Sequence, residues 1–154
     1  MSMAYGDCLC RELGIGIVPY CPFGSGFFGG RAVVESIPAT SSLPSLPRFS
    51  GENFDKNKKL YWNLEKLAEK HECTPAQLAL SWILHQGDDV VPIPGTSKIK
   101  NLDSNTGCIK VKLTNEDLQE ISAVIPINEV AGGRTTDIFM KCEWKFANTP
   151  SKHI

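Results

Sequence analysis

Two short stretches carry residue types suited to holding a planar ligand that bears phosphate. The first is Tyr20-Cys-Pro-Phe-Gly-Ser-Gly26. A flat aromatic ring at the end of a strand can stack on a planar group, and the glycines after it let backbone N–H donors come close to phosphate oxygens. The second is Gly95-Thr-Ser-Lys98, which opens a helical pattern. A helix start presents free N–H groups and partial positive charge, and two hydroxyls and a lysine add further donors. Each stretch also has a plainer reading. The first is turn chemistry, and the second is a Ser/Thr N-cap beside a solvated lysine. Both follow short apolar runs, and together they favour a ligand site, because parallel α/β folds bind ligands at the C-terminal ends of their strands.

The remaining reactive side chains form no constellation. The six cysteines, at 8, 10, 21, 73, 108 and 142, include no C-x-x-C pair, and His71, His85 and His153 are scattered. Metal-ligand spacing is therefore absent. Reduced thiols in a cytoplasmic protein are the expectation. The net charge of −1 offers no basic excess for nucleic acid. No apolar run approaches the roughly 18 residues of a membrane span, and Met1–Asp7 does not read as a signal peptide. At 154 residues and 42% hydrophobic, the chain is long and apolar enough for a core.

The elements that would position these stretches read as follows. Arg11–Gly14 ends a helix, with Gly14 as the stop. Ile15–Tyr20 is short, β-branched and apolar on both faces, as a buried parallel strand would be. A glycine-rich loop runs to Gly30, and residues 36–55 form a long Ser/Pro-rich loop. A helix is predicted over about 56–72, with Leu60, Leu64, Leu67 and His71 on one face. Thr74-Pro-Ala-Gln77 opens another as a capping box, apolar nearly all round. Val90–Ile93 is a second buried strand, Gly95–Asn105 a helix, and Thr114–Asp117 caps a last helix with an apolar face at Leu118, Ile121, Val124 and Ile125. The tail from Asn128 is irregular, with Trp144 and Phe146 as packing anchors. The order βαβα argues an α/β fold with a parallel sheet. Two strands leave its edges and apolar faces uncovered.

Four collinear motifs resemble the aldo-keto reductases. Leu13–Phe28 is similar to their seventh-strand segment. Thr74–Leu84 resembles the helix before their eighth strand, and Val91–Leu102, continuing to Asn105, their adenosine-phosphate segment. Trp144–Pro150 resembles the tail of plant members. The resemblance covers about residues 9–150 and implies part of a (β/α)8 TIM barrel, namely strands seven and eight with their helices. Residues 1–8 then form a non-matching N-terminal segment, 9–127 the barrel part and 128–154 the tail.

By the same resemblance the cofactor is NADPH/NADP. The nicotinamide would stack on Tyr20, and the pyrophosphate would lie along Cys21, Pro22, Phe23, Gly24, Ser25 and Gly26. The 2′-phosphate and adenine would lie near Gly95, Thr96, Ser97, Lys98, Asn101, Ser104 and Asn105. Relatives read Tyr-Ser-Pro-Leu-Gly-Arg-Gly at 20–26, so Cys21 removes a hydroxyl, Phe23 adds bulk and Ser25 removes a cation. Losing that charge-assisted contact costs on the order of 1.5–3 kcal/mol. Ser104 stands where relatives carry Glu or Gln.

The family's catalytic Asp, Tyr, Lys and His lie on its first four strands, upstream of every motif found here, so no catalytic residue is assigned. The match begins abruptly after Asp7, as a truncated transcript, a fragment or a gene-model boundary would produce. The expectation is an NADP-dependent reductase of carbonyl substrates, present as a chain with cofactor segments and no catalytic tetrad. Such a chain would not itself reduce carbonyls and would bind NADPH weakly or not at all. A non-catalytic nucleotide-binding or interaction module, with precedent in family members that act as channel subunits, and a fragment without function are the alternatives. Exposed half-barrel edges would favour homo-oligomers.

Overall fold

The computed structural model describes residues 5–37, 41–136 and 139, with side chains from residue 9 onward. Trp144, Phe146, Cys142, His153 and the whole Trp144–Pro150 motif lie outside the described residues. Among the described residues six α-helices carry the fold: α1 (Tyr5–Glu12), α2 (Arg31–Glu35), α3 (Gly51–Lys70), α4 (Pro75–Leu84), α5 (Ile99–Thr106) and α6 (Asn115–Val124).

The helix signals translate directly into caps. Gly14 takes φ 66° after α1. Ile15 N–H reaches the Cys10 carbonyl at 2.8 Å and Gly14 N–H that of Arg11 at 3.2 Å, a Schellman closure. At α4, Thr74 Oγ1 accepts from Gln77 N–H while Gln77 Oε1 accepts from Thr74 N–H. Thr114 and Asp117 form the same reciprocal pair at α6.

α3 is the spine, and it begins at Gly51 rather than near 56. Two apolar clusters lie along it. Phe27, Val34, Leu43, Phe49 and Tyr61 form one; Leu64, Leu67, Ala68, Leu78 and Ile121 form the other. The first corrects the expectation of a long loop over 36–55. Short 3-10 turns at Leu43–Ser45 and Pro47–Phe49 bury Leu43 and Phe49, and α2, which carries no long apolar period, buries Val34. α4 is less enclosed than its composition suggested: Leu78, Leu80 and Ser81 are buried, while Trp82, Ile83 and Leu84 are half-buried. On α6 Ile121 is buried, with Leu118, Val124 and Ile125 half-buried.

The two expected strands are the main correction. Among the described residues no strand forms; Ile17 and Val90 make a single parallel bridge. Ile17 N–H donates to the Asp89 carbonyl at 2.7 Å, Val91 N–H to Ile17 at 2.9 Å, and Ile93 N–H to Pro19 at 3.3 Å. The next bond of a parallel ladder would need an N–H at Pro19, which has none. Nor are these segments buried on both sides. Ile15, Val18, Val91 and Ile93 are each more than half exposed, because the described residues include no further strand to cover them. Arg11 secures the pair to α1, meeting the Asp89 carboxylate at 3.1 Å and the Gln86 carbonyl at 2.6 Å.

Candidate functional site

The parallel register decides where the two candidate stretches go. Because Pro19 accepts from Ile93, Tyr20–Gly26 and Pro94–Lys98 leave the pair at the same end. Sequence alone left that juxtaposition to analogy.

Tyr20 is 61% exposed. After it the chain coils tightly: Cys21, Gly24, Ser25 and Gly26 all have positive φ, at 52°, 56°, 59° and 92°. Gly24 N–H donates to Cys21 and Gly26 N–H to Phe23, at 3.0 and 3.1 Å. Among the described residues the N–H groups of Cys21, Phe23 and Ser25 make no hydrogen bond, so alternate donors of the loop remain available. Phe27 anchors the loop in the core, edge-on to Phe28 at 5.3 Å and to Tyr61 at 6.1 Å. Cys21 and Ser25 are exposed; Pro22, Phe23, Gly24 and Gly26 are half-buried.

In the second stretch Gly95, Thr96, Ser97 and Lys98 are all exposed. The helix starts later than expected, at Ile99, and its N-cap is Lys98 rather than a hydroxyl residue. Thr96 Oγ1 instead accepts the Lys98 N–H at 3.1 Å, across a bend at Ser97 that separates it from the first turn. The first-turn N–H groups of Ile99 and Lys100 are without a partner among the described residues, as is usual for an uncapped start. Asn101 is exposed. Ser104 is half-buried, its carbonyl engaged by Gln77 Nε2 at 2.9 Å, and Asn105 is buried.

Two contributors at this end were not anticipated. Arg134, from the tail, sits with its guanidinium carbon 4.6 Å from the Tyr20 ring centre. Asn57 holds the tail in place, bonding the Ala131 N–H and carbonyl at 2.9 Å each and the Arg48 carbonyl at 2.8 Å. Nothing in the sequence marks Arg134. Asn57 did leave a trace: it is a polar residue in the apolar stripe that continues through Leu60, Leu64 and Leu67.

Two concavities of the described residues lie elsewhere. One of about 420 Å³ is lined by Arg11, Gly14, Ile15 and Gly87–Asp89, at the opposite end of the parallel pair. Another, of about 380 Å³, lies between α4 and the 3-10 turn at Gly107–Lys110. Among the described residues no cluster of His, Cys, Asp or Glu could hold a metal ion, and no helix is long and apolar enough to cross a membrane.

In fold, the chain is similar to solved reductases. It superposes on a thermostable aldo-keto reductase crystallised with the inhibitor epalrestat, with a TM-score of 0.51 at 21% identity over 76% of this chain and 32% of that one. It also superposes on aldose reductase from Giardia lamblia, with a TM-score of 0.54 at 20% identity over 90% of this chain and 36% of that one. Residues 8–126 match the aldo/keto reductase family, and the chain belongs to it. A probable aldo-keto reductase 1 of Glycine max is 62% identical over 144 residues, which are 94% of this chain and 42% of that protein. The chain thus spans well under half the length of that relative.

Proposed function

We propose that this chain contributes the NADP(H)-holding portion of a cytoplasmic reductase of small carbonyl compounds, as a partial (β/α)8 barrel around residues 9–127. The carrying observation is the Ile93-to-Pro19 hydrogen bond, which delivers Tyr20–Gly26 and Gly95–Lys98 to one end. The residues present fit the cofactor. An exposed ring offers a stacking surface, the loop keeps the Cys21, Phe23 and Ser25 donors available, and a Cβ built at Gly95 would meet nothing within 4 Å.

Each residue then has a limited task. Tyr20 orients a planar ring. The N–H groups of the 21–26 loop bind pyrophosphate oxygens. Thr96, Ser97 and Lys98 meet the extra phosphate of NADPH, where helix-start charge adds to the lysine. Asn101, Ser104 and Asn105 line the adenosine side. When bound, the cofactor supplies a hydride to a carbonyl carbon. No side chain among these residues is proposed to donate the accompanying proton, so the isolated chain does not turn over.

Titration of the purified chain with NADPH and NADH, followed by intrinsic fluorescence, tests this. Weak but saturable binding is expected, preferring NADPH by about tenfold, the size of a charge-assisted contact. Lys98→Ala should erase the preference and Tyr20→Ala should weaken both. Equal affinity for the two nucleotides, or indifference to both substitutions, would overturn the reading. NADPH oxidation with an aromatic aldehyde by the chain alone would overturn the non-catalytic part.

A further inference from the structure

The parallel pair keeps one flank open. Ile17 and Pro19 turn their backbone groups inward: Ile17 N–H reaches Asp89, and the Ile17 and Pro19 carbonyls accept from Val91 and Ile93. Alternation along an extended chain then turns the N–H and C=O groups of Gly16, Val18 and Tyr20 outward. Among the described residues none of these outward groups makes a hydrogen bond.

The side chains beside this flank are open too. Ile17 bridges Val90, whose side chain is buried. Val18, Val91 and Ile93 therefore fall on the opposite face, and each is more than half exposed. Native sheets guard such an edge with charge, proline or a bulge. Residues 13–20 carry no Asp, Glu, Lys or Arg. Pro19 is no guard here, because its missing N–H lies on the inner side of the segment.

We propose that this flank pairs with the same flank of a second copy of the chain, antiparallel and about a two-fold axis at Val18. Three features favour a second copy over an unrelated extended segment. Each outward residue both donates and accepts, so two copies of the stretch are self-complementary, as an isologous interface requires. Val18 meets Val18 of the second copy, and two apolar side chains pack there without repulsion. Pro92 and Pro94 leave the far side of the pair without the N–H groups that a third copy would need, so association closes at two. The interface uses backbone groups and does not depend on the cofactor reading.

Sedimentation velocity of the full chain over a range of concentrations is expected to show a reversible monomer–dimer equilibrium. Val18 is exposed, so Val18→Lys and Val18→Glu should keep the fold, which circular dichroism checks. Each variant alone sets like charges opposite one another across the axis and should dimerise at least about fivefold more weakly. An equimolar mixture of the two should recover the dimer, because the charges across the axis are then opposite. Val18→Thr, which adds no charge, should dimerise like the parent chain. A chain that stays monomeric at every concentration overturns the proposal. So does a dimer indifferent to both charged variants, which has its interface elsewhere, or a mixture no better than its components. Assemblies that grow beyond two copies overturn it as well, since the far side must then pair.

Discussion

Asn57 holds both polar groups of one peptide residue: its Oδ1 accepts the Ala131 N–H and its Nδ2 donates to the Ala131 carbonyl, each at 2.9 Å. A buried amide on α3 therefore does for the tail what a neighbouring strand would do, and it fixes the segment that carries Arg134 to Tyr20.

Replacing Asn57 with Ala should cost about 2–3 kcal/mol in urea unfolding, because the partners it satisfies lose their bonds in a buried setting. The tail should also become cleavable near residue 132 under limited proteolysis. Gly132→Ala should release the same segment while leaving Asn57 in place, since φ 81°, the close Pro47 carbonyl and the Asn53 amide nitrogen 2.8 Å away all oppose a side chain. A cleavage pattern identical to wild type in both variants would contradict the clamp.

Gln77 ties two helices. Its Oε1 closes the cap of α4 and its Nε2 reaches the Ser104 carbonyl. Gln77→Ala should lower stability by about 1–2 kcal/mol, combining a lost cap and a lost hydrogen bond. Gln77→Glu keeps the acceptor for Thr74 but not the donor for Ser104, and should fall between the two. Equilibrium denaturation of the three proteins checks the order.

Alkaline pH should weaken the fold through Tyr61. Burial, and then the adjacent Glu65 charge, push its hydroxyl up to about 12. Below about pH 10, the ordinary tyrosine value, folded and unfolded chains both hold the proton and the full contribution is present. Between about 10 and 12 the unfolded chain releases it first, so roughly 2 kcal/mol is lost. Tyr61→Phe should remove this part of the pH profile, read from melts at pH 9, 10 and 11. Glu65 behaves oppositely. Its hydrogen bond to Arg31 holds the carboxyl below its usual range, so its contribution is present near neutrality and is lost as pH falls below the ordinary glutamate value.

The thiols should react in a definite order. Cys21 is exposed, whereas burial pushes the Cys73 and Cys108 thiols up. Alkylation followed by peptide mass spectrometry should modify Cys21 early and leave Cys108 until the chain unfolds. NADPH should slow the reaction at Cys21 alone among the described cysteines. Equal protection of Cys10 would point to a global effect instead of a local site.

Much of the helical framework is legible in the sequence. Thr74, Pro75 and Gln77 announce α4, and Thr114 with Asp117 announces α6, because a cap is a contact between near neighbours in the chain. The extended segments misled for a long-range reason. Ile15–Tyr20 and Val90–Ile93 have strand composition, but a strand needs a continuous ladder to a neighbour, and Pro19 withholds a donor from the one partner the segments have. The two ligand stretches were legible as chemistry, since glycine, hydroxyl and lysine types speak for themselves. Their meeting at one end was not, and neither was Arg134, whose role depends on Asn57 gripping a residue 74 positions away.

The prolines also make the parallel pair one-sided. In its register the N–H groups of Ile17, Val91 and Ile93 point inward, so the outer flank of the second segment falls to residues 90, 92 and 94. Val90 already donates to Gly87, while Pro92 and Pro94 have nothing to donate. The outer flank of the first segment keeps its donors at Gly16, Val18 and Tyr20. Sheet growth on this chain, whether by correct assembly or by aggregation, is therefore steered to one flank, with the opposite edge blunted by imino acids.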